Sequence, residues 1–166
     1  MIEVKVATIQ VSLVSAHRIV VLQQIGVERY LPIWIGACEA EAISMELQGI
    51  DAPRPMTHDL LVNLVDRLGG HLDYILVHTL ANDTFYGSLF IEVDDELIEV
   101  DCRPSDAMAI AVRVGAPIYV DEDVMEKAGV EPQENLLEET PGGEDEDLDV
   151  FRDFLNNIDL DDLPTD

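Results

Sequence analysis

The sequence predicts an α+β fold in which helices pack on a mostly antiparallel sheet. Hydrophobic residues make up 48% of the chain, more than a disordered chain carries. Short runs that alternate apolar and polar residues, separated by turn residues, are typical of strands. Other segments place their apolar residues at helical spacing. The 166 residues are enough for one domain with a hydrophobic core and an appendage.

Seven segments have the pattern of strands. The first alternates over residues 2–14, and Gly26 marks the turn between the next two. Asn82-Asp83 and Asp94-Asp95 are turn signals between three later segments, which predicts an antiparallel meander. The predicted strands are 2–14, His17–Gln24, Tyr30–Ile35, His71–Leu80, Asp83–Val93, Glu96–Cys102 and Pro117–Val120.

Four helices are predicted, at Glu39–Gln48, His58–Leu68, Asp106–Val114 and Val124–Ala128. Thr57 and Ser105 are expected to cap the second and third helices, because their hydroxyls can accept a hydrogen bond from free helix N–H groups. In the second helix the apolar residues recur at helical spacing, so we expect them to form its buried face. They are Leu61, Leu64, Val65 and Leu68.

Two segments of the chain resemble each other at an offset of 67 residues. Trp34–Leu47 and Asp101–Val114 both run from the end of a strand through a tight turn into a helix. The dipeptide Arg-Pro also recurs, at Arg54 and Arg103, each time just before a helix with an aspartate in its first turn. These features predict a β-rich unit followed by a helix, used twice.

Charge divides the chain unevenly and indicates where the folded domain ends. The net charge is −26, and residues 121–166 contain 18 acidic and 2 basic residues against 17 and 7 in residues 1–120. We expect a domain over 1–130, an acidic linker over 131–147 and an acidic tail over 148–166 with a short amphipathic helix. The tail keeps the protein soluble, or it mimics nucleic acid and inhibits the domain.

Composition also limits the class of protein. No apolar run approaches the roughly 20 residues that span a bilayer, so no membrane partner is expected. Two cysteines are too few for a disulfide framework or a cysteine-built metal site, and a cytoplasmic location is expected. The acidic body would repel nucleic acid at long range. A nucleic-acid function therefore requires a local basic site or bound divalent cations.

Six short motifs, in order along residues 2–130, carry a resemblance to a known family. They are Leu31-Pro-Ile-Trp-Ile-Gly36, Glu39-Ala-Glu-Ala-Ile43, Arg54-Pro-Met-Thr-His-Asp59, Thr84-Phe-Tyr86, Arg103-Pro-Ser-Asp-Ala107 and Pro117-Ile-Tyr-Val120. Together they resemble the bifunctional nuclease (DNase/RNase) domain family. The resemblance implies a nuclease with DNA and RNA as substrates.

Cleavage of both polymers limits the chemistry, because DNA lacks the 2′-hydroxyl that serves as a nucleophile in RNA. Water must then attack, and one or two divalent metals held by carboxylates are the usual way to activate it. A site rich in oxygen favours Mg or Mn as the cofactor. The candidate carboxylates are Glu39, Glu41, Asp59, Asp101 and Asp106, with Asp101 and Asp106 as the expected metal ligands because they flank the Arg103-Pro104 corner.

Arg54 and Arg103 are the candidate phosphate-binding residues, since a guanidinium beside free helix N–H groups makes an anion site. His58 is a candidate general base or acid, together with Glu39, Asp101 and Asp106 as catalytic residues. Each has a structural alternative. The carboxylates can offset helix dipoles, each arginine can pair with its neighbouring aspartate, and His58 can be a solvated surface residue.

A second hypothesis is a non-enzymatic homo-oligomeric scaffold or regulatory binding module with an acidic docking tail. Asp106 and Arg113 lie seven residues apart on an otherwise apolar helix and need partners if that helix is buried. Pairing between subunits is one way to supply them. A homo-oligomer is expected, with a dimer as the favoured form.

Overall fold

The structure is a computed structural model that describes residues 1–11 and 18–131. The chain divides after Val130, and all elements below belong to the unit Met1–Val130. Apart from Glu131, the expected acidic linker and the expected tail helix lie outside the described residues. None of the helices in the described part of the chain is long and apolar enough to cross a membrane.

The described residues form seven strands and four helices, and the predicted elements are confirmed there with small shifts of their ends. Residues 12–14 of the first predicted strand and His17 of the second lie outside the described residues. The strands are β1 (Ile2–Val11), β2 (Arg18–Gln24), β3 (Tyr30–Ile35), β4 (Gly70–Ala81), β5 (Thr84–Val93), β6 (Glu96–Cys102) and β7 (Ile118–Val120). The helices are α1 (Ala37–Leu47), α2 (Thr57–Arg67), α3 (Pro104–Val114) and α4 (Glu122–Ala128).

All seven strands form one sheet in the order β3-β2-β1-β7-β4-β5-β6. Every neighbouring pair is antiparallel except β4 and β7, which run parallel. The fold is therefore the predicted α+β class with a mostly antiparallel sheet. The turns at Asn82-Asp83 and Asp94-Asp95 place all four residues at positive φ, a conformation that Asn and Asp tolerate better than most residues.

The sheet contains the predicted repeat. Strands β1–β3 followed by α1 form one unit, and β4–β6 followed by α3 form the other. Helices α1 and α3 both have 11 residues, and their first residues, Ala37 and Pro104, are 67 positions apart. The two strand triplets occupy opposite ends of the sheet with β7 between them. The two helices contact each other, so the ends of the two repeats meet.

The hydrophobic core lies between the sheet and helices α1, α3 and α4. Strand residues such as Val20, Leu22, Ile75 and Val77 belong to the same buried cluster as residues of these helices. Helix α3 is the most completely buried, with Ala107 to Ala111 all buried. This agrees with its almost wholly apolar sequence.

Two expected helix caps are wrong. Met56 and Arg103 are the N-cap residues of α2 and α3, and both have extended backbone conformations. Thr57 and Ser105 lie inside the first turns. At α3 the reason is Pro104, whose fixed φ suits the first helical position and whose missing N–H costs nothing there.

The expected buried face of α2 is also wrong. Leu61, Leu64 and Leu68 are exposed, and of the predicted face Val65 alone is half-buried. The residues turned inward are His58, which is buried, and Val62, which packs against the core. Helix α2 is apolar over a wide part of its circumference, so periodicity alone did not identify the side that packs. Contacts with α3 and β4 select it.

Candidate active site at three helix N-termini

Three helices of the domain begin with the same electrostatic arrangement. Glu39 in α1, Asp59 in α2 and Asp106 in α3 each occupy the third position after the N-cap residue. A carboxylate in the first turn interacts favourably with the positive end of the helix dipole. Three of the five acidic residues singled out in the sequence are thus at helix starts, and the tertiary structure decides which of them meet.

Arg103 joins the starts of α1 and α3. Its Nε donates to Asp106 Oδ2 at 2.7 Å, and its Nη2 donates to Asp106 Oδ1 at 2.9 Å. The same Nη2 donates to Glu39 Oε1 at 2.6 Å. Two charge-assisted bonds to one carboxylate fix the plane of the guanidinium. Its side chain is still 65% exposed, whereas that of Glu39 is 15% exposed.

His58 extends this network to α2. Its Nε2 lies 3.3 Å from Asp106 Oδ1, within hydrogen-bond distance. The expectation of a solvated surface residue is wrong, because His58 is buried with 8% of its surface exposed. Glu39, Arg103, Asp106 and His58 therefore form one continuous chain of hydrogen bonds across three helices.

The network determines the ionisation of Asp106. Burial opposes the charged carboxylate, but the hydrogen bonds from Arg103 and His58 outweigh it and hold the pKa of Asp106 below its ordinary value. In turn, the hydrogen bonds to Asp106 and Glu39 raise the pKa of Arg103. Asp106 is thus an anion that accepts hydrogen bonds at neutral pH.

A second ion pair lies one residue from His58. Arg113, whose side chain is only 7% exposed, donates from Nε to Asp59 Oδ1 at 2.5 Å and from Nη1 to the Ala109 carbonyl at 2.6 Å. The Met56 amide donates to the other oxygen of Asp59 at 2.7 Å. The hydrogen bond from Arg113 contributes most to lowering the pKa of Asp59, followed by the bond from Met56. Asp106 and Arg113 find their partners within the chain, so pairing between subunits is not needed to supply them.

Arg54 occupies a different position from Arg103. It lines a cavity of about 280 Å³ beside the start of α2, together with Asp59, Arg113 and Glu46. Arg54 is exposed, and no described carboxylate forms an ion pair with it. Arg103 does not line this cavity. The two arginine corners of the sequence therefore do not form a single pocket.

Asp101 does not join the hydrogen-bond network with Asp106. It is exposed at the end of β6, opposite Ser88. Both carboxylates are near the Cys102 thiol, whose pKa rises to about 11, first through burial and then through the charges of Asp106 and Asp101. Within residues 1–11 and 18–131, no group of three or more His, Cys, Asp or Glu side chains is arranged to hold a metal ion.

The structure thus brings together four of the predicted site residues, namely Glu39, His58, Arg103 and Asp106. Arg54 and Asp101 lie outside this group. Sequence reasoning did not assign Arg113 to the site, although the spacing of seven residues from Asp106 pointed to a polar residue that needs a partner. Its partner, Asp59, is 54 residues away in the chain.

Comparison with known proteins identifies a protein family that the chain matches. The family model of the bifunctional nuclease domain matches residues 20–133. The chain is 42% identical to an uncharacterized protein of Mycobacterium tuberculosis over 162 residues, 97% of both chains. It is 26% identical to Bifunctional nuclease 1 of Oryza sativa subsp. indica over 117 residues, 69% of this chain and 35% of that protein. It is 27% identical to Bifunctional nuclease 2 of Arabidopsis thaliana over 112 residues, 65% of this chain and 34% of that protein.

Proposed function

The chain belongs to the bifunctional nuclease domain family, and on this premise we propose that it hydrolyses phosphodiester bonds of DNA and RNA without sequence specificity. The observation that carries the proposal is the hydrogen-bonded chain Glu39–Arg103–Asp106–His58 at the starts of α1, α2 and α3. It combines an exposed guanidinium, which can stabilise negative charge on a phosphate, with carboxylates and an imidazole, which can transfer protons.

Arg103 binds the phosphate in this proposal. Its Nε and Nη2 are held by the two carboxylates, while Nη1 makes no hydrogen bond to a described residue. The guanidinium is mostly exposed, so a phosphate oxygen can reach Nη1 without breaking the network. A positive charge fixed beforehand stabilises the additional negative charge that develops on the phosphorus centre during attack.

His58 and Asp106 remove the proton from the attacking water molecule in this proposal. When the Nε2–H of His58 is donated to the ionised Asp106, Nδ1 keeps its lone pair and is able to accept a proton from an attacking water molecule. Asp106 orients the ring and stabilises the imidazolium that forms. General base catalysis of this kind contributes about 10²–10⁴-fold to a rate.

We propose that a divalent cation, Mg or Mn, assists the reaction. Mg²⁺ is commonly bound through one or two carboxylates, with water and substrate phosphate completing its shell. Glu39 and Asp106, which converge on Arg103, are the pair that fits this pattern, and the exposed Asp101 is the further candidate. A bound cation would neutralise phosphate charge and lower the pKa of water.

The cavity beside α2 is the proposed site for a neighbouring phosphate of the same strand. Arg54 has no carboxylate partner among the described residues, so its charge is available to an anion. Contacts to the backbone alone bind DNA and RNA alike and carry no sequence information. Two separate arginine sites that contact phosphates are therefore compatible with a nuclease that has no sequence specificity.

The experiment is a cleavage assay of the purified full chain on single-stranded DNA and RNA, with Mg, Mn or a chelator. We expect both polymers to be cut, the chelator to stop cleavage, and Arg103→Ala and Asp106→Ala each to abolish it. Lys127→Ala, which removes an exposed positive charge from α4, is the control and should retain full activity. Cleavage that survives both Arg103→Ala and Asp106→Ala would come from a contaminant and would contradict the proposal.

One observation favours the second candidate, a non-enzymatic binding module. Arg103 and Arg113 are both already paired with carboxylates, as expected of residues that hold helix starts together. In that case the pure protein cuts neither polymer with any cation, and Arg103→Ala changes stability alone. The cleavage assay, repeated beside a urea unfolding curve for each variant, separates the two candidates.

A further inference from the structure

Helix α2 presents a row of leucines to solvent. Leu60, Leu64 and Leu68 recur every four residues and therefore lie above one another on the same face, with Leu61 beside them. Their exposed fractions are 62, 52, 73 and 40% in the order Leu60, Leu64, Leu68, Leu61. Scattered exposed leucines are ordinary on a protein surface, but four within little more than two helical turns form a patch. We call these four residues the leucine face.

A neighbouring part of the α2 surface already makes the contacts that hold the helix on the domain. His58 is buried and Val62 packs against the core, while α2 contacts α3 and β4. The half-buried Val65 continues this inward face toward Leu61, so the apolar surface of α2 is one wide arc. The domain covers one part of that arc and leaves the leucine face in solvent.

The charge of the molecule indicates what covers the leucine face. At a net charge of −26, two copies of the chain repel each other at long range, so a contact between copies requires a surface free of acidic residues. The leucine row itself contains no acidic residue, and the charged residue at its edge is Arg67. An anionic lipid surface would be repelled by the same negative charge, and it has no row of leucines that could pair with the leucine face. A second copy offers the same uncharged row.

The area is also of the size that a dimer needs. The leucine face exposes on the order of 400 Å² of apolar surface, in the range at which patches mark interaction sites. A standard interface buries about 800 Å² per partner, of which somewhat more than half is apolar. The leucine face therefore supplies most of the apolar share for one side of such an interface.

We propose that this face is the contact between two copies of the chain, with α2 packed antiparallel against α2 of the partner around a two-fold axis near Leu64. In that arrangement Leu60 meets Leu68 of the other copy and Leu64 meets its own equivalent, as an isologous interface requires. The long stem of Arg67 lies over leucine while its charge stays in water. The proposal does not depend on nuclease activity.

The test measures the mass of the full chain in solution at micromolar concentration by light scattering after gel filtration. We expect twice the 18.4 kDa of one chain. Leu64→Glu should weaken association by more than about 30-fold, because it places two like charges at the axis. Leu47→Glu on α1 is the matched control, since Leu47 is 53% exposed and Leu64 is 52% exposed, and it should leave the dimer intact. Both changes are at exposed positions, and circular dichroism checks that each variant is folded.

A mixing experiment tests the symmetry. Leu64→Glu and Leu64→Lys chains should each be monomeric alone, and an equimolar mixture should recover the dimer because opposite charges then meet at the axis. A wild-type chain that remains at 18.4 kDa, or a Leu64→Glu chain that remains dimeric, would overturn the proposed interface. A mixture that stays monomeric would overturn the two-fold pairing at Leu64.

Discussion

Glu39 and Asp106 are equivalent residues of the two repeats, 67 positions apart, and both accept a hydrogen bond from the same guanidinium, that of Arg103. The residue equivalent to Arg103 in the first repeat is Gly36, the N-cap of α1. One arginine thus serves the acidic helix starts of both repeats. A duplicated strand–turn–helix unit has become a single asymmetric site in which only one copy supplies the cation.

Gly36→Ala should disturb this site without touching Arg103. A Cβ at position 36 would lie 2.1 Å from Glu39 Oε2, so the Glu39 carboxylate must move, and its bond to Arg103 depends on its position. We expect Gly36→Ala and Glu39→Gln to reduce cleavage activity by a similar factor, while urea unfolding changes little. Gly49→Ala is the control. No atom lies within 4 Å of the new Cβ, but the backbone has a φ of +64°, which alanine adopts only with strain. We therefore expect the stability of this variant to fall, while the activity per folded molecule stays the same.

Asp106→Asn should reduce activity more than Glu39→Gln does. Asp106 accepts two hydrogen bonds from Arg103 and lies next to His58, whereas Glu39 accepts one from Arg103. We expect a loss of about 100-fold or more in kcat/KM for Asp106→Asn, because both the arginine and the histidine lose their orientation. Asp66→Asn, an exposed acid in the last turn of α2, should be neutral. Equal losses for Glu39→Gln and Asp106→Asn would show that His58 has no part in catalysis.

Arg113→Ala should destabilise the domain by about 3 kcal/mol in urea unfolding, because breaking a buried ion pair leaves its partner uncompensated. The Arg113 side chain is 7% exposed and that of Asp59 is 31% exposed, so the cost is below that of a fully buried pair. The double variant Arg113→Met with Asp59→Asn should recover part of the loss, since it removes the unpaired charge. A double variant less stable than Arg113→Ala would contradict this explanation.

Acid should destabilise the domain through Asp59. Its folded-state pKa lies below the ordinary value of 3.8, mainly because of the hydrogen bond from Arg113, so the unfolded chain binds a proton more readily than the folded one. The unfolding free energy of the domain therefore rises with pH in this range. The contribution of Asp59 is fully present above about pH 5 and is lost as the pH falls through the folded-state pKa. Asp59→Asn should make the slope of unfolding free energy against pH shallower by up to about 1.4 kcal/mol per pH unit.

The two cysteines should react with iodoacetamide at different rates. The pKa of Cys102 is raised to about 11, so at pH 8 roughly one thiol in a thousand is the reactive thiolate. Cys38 is exposed on α1 and should be modified first. Mass spectrometry of tryptic peptides should find the label on Cys38 well before Cys102, and Asp106→Asn should speed the labelling of Cys102. Equal labelling of both cysteines in the folded protein would contradict the burial of Cys102.

Local sequence determined most of the fold of this protein. Period-two alternation, Asn-Asp and Asp-Asp turns and helical spacing are short-range signals, and they identified seven strands, four helices and the repeat at an offset of 67. They also placed carboxylates at the helix starts. Helix phase was not determined in this way, because α2 is apolar over a wide part of its circumference and periodicity does not say which part packs. The preference of N-cap positions for Ser and Thr pointed to Thr57 and Ser105, each one or two residues after the true N-cap residues Met56 and Arg103.

Only the tertiary structure decided which charged residues meet. Arg103 reaches Glu39 across 64 positions, Asp106 reaches His58 across 48, and Arg113 reaches Asp59 across 54. These pairings depend on how α1, α2 and α3 converge, and no local pattern encodes that. The same convergence buried His58, separated Arg54 from Arg103 and left the leucine face of α2 in solvent. Spacing along the chain sets which side chains share a face, whereas packing against distant elements sets which face is inside.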